Sequence, residues 1–311
     1  MSLSTRMAFG KELIEIAKTN QQFVICSADT KACGLEEFGK LFSGREFKFG
    51  IAEQNMMNAA AGLASCGKKV FVATFAVFAT MRACEQVRTF ICYPKLNVTI
   101  IGTHTGLQVG SDGATHMAIE DVSIMRAFPN ITILQPSDAV SAQKMAHIAV
   151  DFNGPLYIRL HRNPSPDIHN SSTYHIELGK ANVIRDYGND VTFIVSGIML
   201  GKVLEAVEKL LKLNIRAKVL EIHTIKPIDK EAVIKAAQET RAIITVEDHT
   251  IMGGLGSAVS EILSEQCPVW MKRIGIQDVF GESGDSEKLY IKHKMAVDDM
   301  VKAAIEIINK K

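Results

Sequence analysis

No apolar stretch in this 311-residue chain approaches the roughly 18 residues needed to span a bilayer, so no membrane-spanning helix is expected. Charge of one sign is not in excess: 35 Lys+Arg face 34 Asp+Glu. That balance gives no electrostatic footprint for nucleic acid or for a membrane surface. The stretch 1–8 lacks the apolar run of a signal peptide, and no leader is expected there. The six cysteines, Cys26, Cys33, Cys66, Cys84, Cys92 and Cys267, contain no Cys-x-x-Cys pair and no Cys/His cluster with zinc spacing. Several lie in apolar runs, where a free cysteine behaves as a small hydrophobe, and the expectation is a reduced, cytoplasmic protein. There is no low-complexity tract and no short repeat. A dinucleotide fingerprint is missing too, since Gly254-Leu255-Gly256 is too short for G-x-G-x-x-G.

What remains is an ordinary globular composition, 47% hydrophobic and 22% charged, in a chain long enough for two domains. In the first half, β-rich runs at 23–26, 69–73, 98–101, 131–134 and 156–159 alternate with helical patterns at 6–18, 53–65, 79–91, 118–127 and 138–150. Such alternation implies βαβ units and a parallel sheet covered on both faces. Ligands in such folds sit at the carboxyl ends of the strands. Pro164, Pro166, Asn170, Ser171, Ser172 and Gly188 then interrupt any period. The pattern restarts with strands at 191–195, 217–221, 242–246 and 269–274 and helices at 202–213, 229–238 and 255–264, with Asp229 placed as an N-cap. The reading is α/β throughout: a first domain over 1–165, a linker over 166–188, and a smaller α/β domain over 189–311.

Three runs carry chemistry. Gly50-Ile51-Ala52-Glu53-Gln54-Asn55-Met56 puts one carboxylate between a Gly-led turn and a small-residue helix. Val70 to Phe75 is an apolar strand that leads into Ala76-Val77-Phe78. Thr103-His104 follows the next strand, and Asp112-Gly113-Ala114-Thr115-His116 closes a glycine-rich stretch. Alone, Glu53 could serve only the helix dipole, a Phe at a strand end could be core, and each His could be structural. In this order and spacing the runs resemble the pyrimidine-binding half of the transketolases, which use thiamine diphosphate. The runs 223–229 and 246–256 resemble the C-terminal domain of the same superfamily and receive no catalytic role.

The resemblance implies roles for these residues. Glu53 hydrogen-bonds the aminopyrimidine ring and holds a proton there, and Phe75 and Phe78 pack against that ring. Many transketolases add a third aromatic; this chain reads Ala79-Thr80-Met81-Arg82, and Met81 is expected to fill that slot. His104 and His116 line the reactive channel and move protons near neutral pH, with Asp112 near a substrate hydroxyl. Arg6 and either Arg159 or Arg162 hold a sugar-phosphate tail through guanidinium forks; counting from Pro155 favours Arg162. The hydroxyl residue expected in the run 29–33 is replaced by Cys33, which leaves the phosphorylated substrate open. No metal is assigned to this chain.

Thiamine enzymes hold the diphosphate through Mg²⁺ on a Gly-Asp-Gly run followed by Asn. Neither Ser111-Asp112-Gly113 nor Gly284-Asp285-Ser286 has that context. The expectation is therefore a split enzyme: this chain supplies the pyrimidine end, and a separate N-terminal transketolase subunit holds the diphosphate and Mg²⁺. The alanine-rich stretch 58–64 permits close backbone approach and suits a homodimer within a heterotetramer. A deoxyxylulose-phosphate synthase-like subunit, a 2-oxoacid dehydrogenase β-like subunit and a non-catalytic scaffold with the same fold remain as alternatives.

Overall fold

The computed structural model describes residues 3–30 and 33–311, so Lys31 and Ala32, within the run 29–33, lie outside the described residues. Twelve strands form two sheets among the described residues. In chain order they are β1 (Phe23–Ser27), β2 (Glu46–Lys48), β3 (Lys69–Phe75), β4 (Val98–Thr103), β5 (Thr132–Leu134), β6 (Leu156–Arg159), β7 (Asn182–Asp186), β8 (Val191–Val195), β9 (Ala217–Glu221), β10 (Thr224–Lys226), β11 (Ala242–Thr250) and β12 (Trp270–Ile276). The helices are α1 (Thr5–Thr19), α2 (Phe38–Leu41), α3 (Glu53–Ser65), α4 (Cys84–Gln86), α5 (Asp121–Ala127), α6 (Ala139–Asp151), α7 (Met199–Lys212), α8 (Lys230–Thr240), α9 (Leu255–Gln266), α10 (Ser286–Lys292) and α11 (Val297–Ile308).

The first sheet runs β10-β5-β6-β4-β3-β1-β2 and the second β12-β11-β8-β9-β7. Each is parallel except for one antiparallel edge strand, β10 in the first and β7 in the second. β10 comes from the second half of the sequence, so the sheets are tied by the chain itself. Within the stretch expected as linker, residues 182–186 form β7. Just before it, Ile168 and His169 donate their backbone N–H groups to Asp138, at 2.8 and 2.7 Å.

Packing follows from the pleat. Along β3, Phe71 and Ala73 join a core with Phe9, Leu13 and Met145, under α1 and α6. Val70 and Val72 face the opposite core with Met56, Met57 and Val87, under α3 and the helical stretch after β3. A strand covered on both faces needs apolar residues throughout, which is why the first half reads as continuous β-rich runs rather than alternation. Asp138 caps α6 by accepting from Ser141 N at 2.8 Å in a reciprocal capping box, and Asp229 caps α8 through Ala232 N at 3.1 Å.

The stretch expected as one helix over 79–91 is instead a π-helical turn (Phe78–Arg82), the short α4, and a second π-helical segment (Val87–Cys92). The site-facing loop is a 3₁₀ segment, Gly106–Asp112, held from both halves of the molecule. Asp248 at the end of β11 accepts from Leu107 N at 3.0 Å and from the Tyr290 hydroxyl at 2.8 Å. Gly106 has φ +67°, and a Cβ there would lie 2.1 Å from Asp248 Oδ2; only glycine lets the loop approach this carboxylate. Ser283 Oγ donates to Ser111 O at 2.6 Å.

Candidate active site

The carboxyl ends of β1, β3, β4 and β6 lie side by side, with Ser27 opposite Ala73, Phe75 opposite Thr103 and Gly102 opposite Arg159. Most of the residues singled out in the sequence gather there. Glu53 opens α3 and is 2% exposed. Its Oε2 accepts from Arg82 Nη1 at 2.7 Å. Phe75 and Phe78 stack at 5.8 Å between centroids and 21° between planes. Burial of such a pair adds roughly 0.5–1.5 kcal/mol beyond its area.

His104, in the left-handed region at φ +58°, tilts against Phe75 at 3.9 Å. Its Nδ1 pairs with Thr103 Oγ1 at 3.0 Å. His116 meets Phe75 and Phe78 edge-on at 6.1 and 5.5 Å, its Nδ1 paired with Thr115 Oγ1 at 2.9 Å. Two aromatic faces, two imidazoles and a buried carboxylate thus share one mouth of the sheet. Burial, helped by the charges of Arg6 and Arg162, pushes His104 down to about 3. This shift favours the neutral imidazole near pH 7.

The cationic side of the mouth is built from both ends of the first half. Arg162 lies 3.3 Å from Asp112 and donates to Val109 O. Arg6 Nε donates to Arg162 O at 3.1 Å, and burial, with Arg162's like charge adding, lowers the Arg6 guanidinium from its usual range. α1 lies close because Gly10 has no side chain; a Cβ there would meet Cys33 O at 1.6 Å. Cys33 donates to Arg6 O at 3.4 Å, and burial pushes its thiol up to about 12, so it stays a thiol. Beside it a cavity of about 230 Å³ opens among Ser27, Asp29, Thr30, Glu36 and Lys48.

Two expectations fail. Arg159 is 2% exposed and is no phosphate ligand. Its Nε and Nη2 donate to Asp121 at 2.8 and 3.1 Å, and Nη2 also to Ala118 O and Asp248 O. It is a buried strut between the two halves, and alternation along β6 did not reveal this because Asp121 and Asp248 are distant in sequence. Met81 is not the third plate against the aromatic pair: the guanidinium of Arg82 lies 4.2 Å from the Phe78 centroid, and Met81 is 36% exposed. Arg82 stands four positions after Phe78 in the turn Phe78–Arg82, a spacing at which side chains on a helical turn meet. Arg82 was missed; its signal was a cation at i+4 from an aromatic that itself follows a strand. Among the described residues, no group of three His, Cys, Asp or Glu side chains is placed to hold a metal ion, and no helix is long and apolar enough to cross a membrane.

Comparison with known proteins fits this geometry. The family "Transketolase, pyrimidine binding domain" matches residues 1–166, and "Transketolase, C-terminal domain" matches residues 179–300. A 6-deoxy-6-sulfo-D-fructose transketolase subunit of Clostridium sp. (strain MSTE9) is 40% identical over 96% of this chain and 92% of its own length. A solved structure described as a split gene transketolase, inactive β4 tetramer, superposes with a TM-score of 0.90 at 40% identity over 99% of both chains. The transketolase of Campylobacter jejuni matches 98% of this chain at 25% identity and a TM-score of 0.78, but this chain covers only 47% of it. The chain belongs to the transketolase family, and over nearly its whole length it is similar to subunits of split transketolases.

Proposed function

We propose that this chain is the cofactor-activating half of a split, thiamine diphosphate-dependent transketolase that moves a two-carbon ketol unit between sugar phosphates. The observation that carries the reading is the buried Glu53 carboxylate beside the stacked Phe75–Phe78 pair, with His104 and His116 against the same rings. These residues fit an aminopyrimidine: a carboxylate for a ring nitrogen and flat aromatic faces for the ring. When bound, thiamine diphosphate supplies the electron sink that carries the ketol fragment. Glu53 holds a proton at the ring. His104 and His116 hydrogen-bond the sugar, Asp112 takes a substrate hydroxyl, and Arg6 and Arg162 take its anionic tail.

The diphosphate and Mg²⁺ are assigned to a separate N-terminal transketolase subunit, and this chain to a homodimer within a heterotetramer. Support comes from the half-length match to the Campylobacter jejuni enzyme and from the β4 assembly of the split-gene structure. The relative's sulfonated sugar and the Cys33 departure leave the anionic group open between phosphate and sulfonate. The six free cysteines suit a reducing compartment such as the cytoplasm.

The test is titration of the purified chain with thiamine diphosphate and Mg²⁺, alone and with a chain carrying the diphosphate-binding half. The expected outcome is binding weaker than micromolar and no ketol transfer by the chain alone, with both restored on mixing. Micromolar binding and turnover without a partner contradict the split reading.

A further inference from the structure

The reading of Glu53 and Phe78 as ring-binding residues leaves one side chain unexplained. Arg82 touches both: its Nη1 is 2.7 Å from Glu53 Oε2, and its guanidinium carbon is 4.2 Å from the Phe78 centroid. We propose that Arg82 is a built-in stand-in for the cofactor's aminopyrimidine ring, holding Glu53 and Phe78 in the cofactor-free chain and swinging out when the ring enters. The proposal rests on the proposed function and adds a residue and a competition to it.

The argument starts from what the empty site needs. Glu53 is 2% exposed at the start of α3. A buried ionised carboxylate without a partner costs several kcal/mol, so a donor there stabilises the cofactor-free chain. A guanidinium is a flat plate edged with N–H groups, and it stacks on aromatic faces as readily as it pairs with carboxylates. Those are the two demands the site makes of an aminopyrimidine: a hydrogen bond to Glu53 and a face against Phe78. Two plates cannot occupy the same face of Phe78 at once.

Arg82 is also the right kind of group to move. Glu53 is enclosed, but the Arg82 side chain is 42% exposed, so it can turn into water without leaving an uncompensated buried charge. It is the last residue of the π-helical turn, and Ala83 after it leaves helical geometry at φ −103° and ψ 23°. Four positions after Phe78, the Arg82 guanidinium lies over that ring. Competition of this kind lowers the apparent affinity for the ring by the fraction of time Arg82 is docked. It also keeps Glu53 paired until cofactor arrives.

The experiment uses the full chain alone and 4-amino-2-methylpyrimidine, which asks only for this chain's residues. Binding is followed by calorimetry or ligand-observed NMR for the wild type, Arg82→Ala, Arg82→Gln, Glu53→Ala and the Arg82→Ala/Glu53→Ala double variant, each checked for folding by its melting curve. The proposal predicts that Arg82→Ala binds the ring at least about fivefold more tightly than wild type. It also predicts that Glu53→Ala removes that gain. Arg82→Gln, a planar amide without charge, should fall between, and it carries the test if the alanine variant fails to fold. Binding equal to or weaker than wild type in Arg82→Ala, with Glu53→Ala still weakening it, overturns the stand-in and leaves Glu53 as the ring's partner. Binding that ignores Glu53 in every background, or none at all once Arg82 is removed, overturns the stand-in and the ring-binding assignment of Glu53 together.

Discussion

Both halves of the molecule bury a glutamate at the mouth of a parallel sheet, and they treat it in opposite ways. Glu53 is 2% exposed and is paired with Arg82, whose side chain is 42% exposed. Glu247 in β11 is 3% exposed and accepts from Leu255 N at 2.7 Å and Gly256 N at 2.8 Å, backbone groups fixed in the first turn of α9. Its neighbours are spent the same way. Asp248 holds Leu107 N and Tyr290, and His249 Nδ1 donates to Thr250 O at 2.7 Å. A carboxylate held by a movable side chain can be handed to a ligand; one held by backbone N–H groups cannot without undoing a helix start. The second cluster is rich in ionisable groups, yet they are engaged within the fold: Asp248 holds the loop Gly106–Asp112, and Glu247 holds the start of α9.

The comparison extends to the ion pairs, and breaking them gives the largest expected effect. Arg159–Asp121 is enclosed, with side chains 1% and 0% exposed; Arg162–Asp112 at the mouth is 31% and 32% exposed. Asp121→Asn leaves a buried guanidinium without its counter-charge and should cost about 3–5 kcal/mol. Asp112→Asn removes a partly solvated pair and should cost about 1 kcal/mol or less. Urea denaturation of the two variants against wild type measures this. Equal losses would erase the distinction between strut and mouth.

The strut also marks where sequence reasoning stops. The strands at 191–195 and 217–221, the helix at 53–65 and the cap Asp229 are local events, set by β-rich runs, small-residue helix patterns and side-chain capping, and the chain carries them in plain view. Glu53, Phe75, His104 and His116 were legible as members of ordered motifs. Arg159 was misread because its partners, Asp121 and Asp248, come from other elements and no local period encodes them. Arg82 was missed because the motif resemblance set Met81 in the third position, whereas the side chain that meets Phe78 is the one four residues on. β10 escaped because three residues before Pro227 carry no strand signal until β5 is there to pair with them.

A smaller effect appears with pH, where burial favours the neutral form of one group in each half. Burial pushes His104 down to about 3. Folded His104 stays neutral while the unfolded group, with a pKa near 6.5, takes a proton. Its contribution is therefore lost as pH falls from about 6.5 toward 3. Glu247 runs the other way: burial pushes it up to about 7 against a reference of 4.5. The folded chain keeps that proton longer than the unfolded one, and the resulting stabilisation is lost as pH rises from about 4.5 through 7. Relative to His104→Asn, wild-type stability should rise with pH across the first window. Relative to Glu247→Gln, it should fall with pH across the second. Each slope is at most about 1.4 kcal/mol per pH unit. Slopes of the same sign in chemical denaturation at stepped pH would contradict the burial-driven neutrality of His104 or of Glu247.

The central claim is that Glu53 is reserved for chemistry and Glu247 for structure. The direct measurement is turnover and melting temperature of Glu53→Gln and Glu247→Gln in the complex reconstituted with the diphosphate-binding chain. The account predicts that Glu53→Gln melts with the wild type but loses at least about 10²-fold in kcat. Glu247→Gln should melt lower and, at temperatures where it is folded, turn over within a few-fold of wild type. Near-wild-type turnover in Glu53→Gln, or a catalytic loss in Glu247→Gln that matches it without a change in melting, would contradict the account.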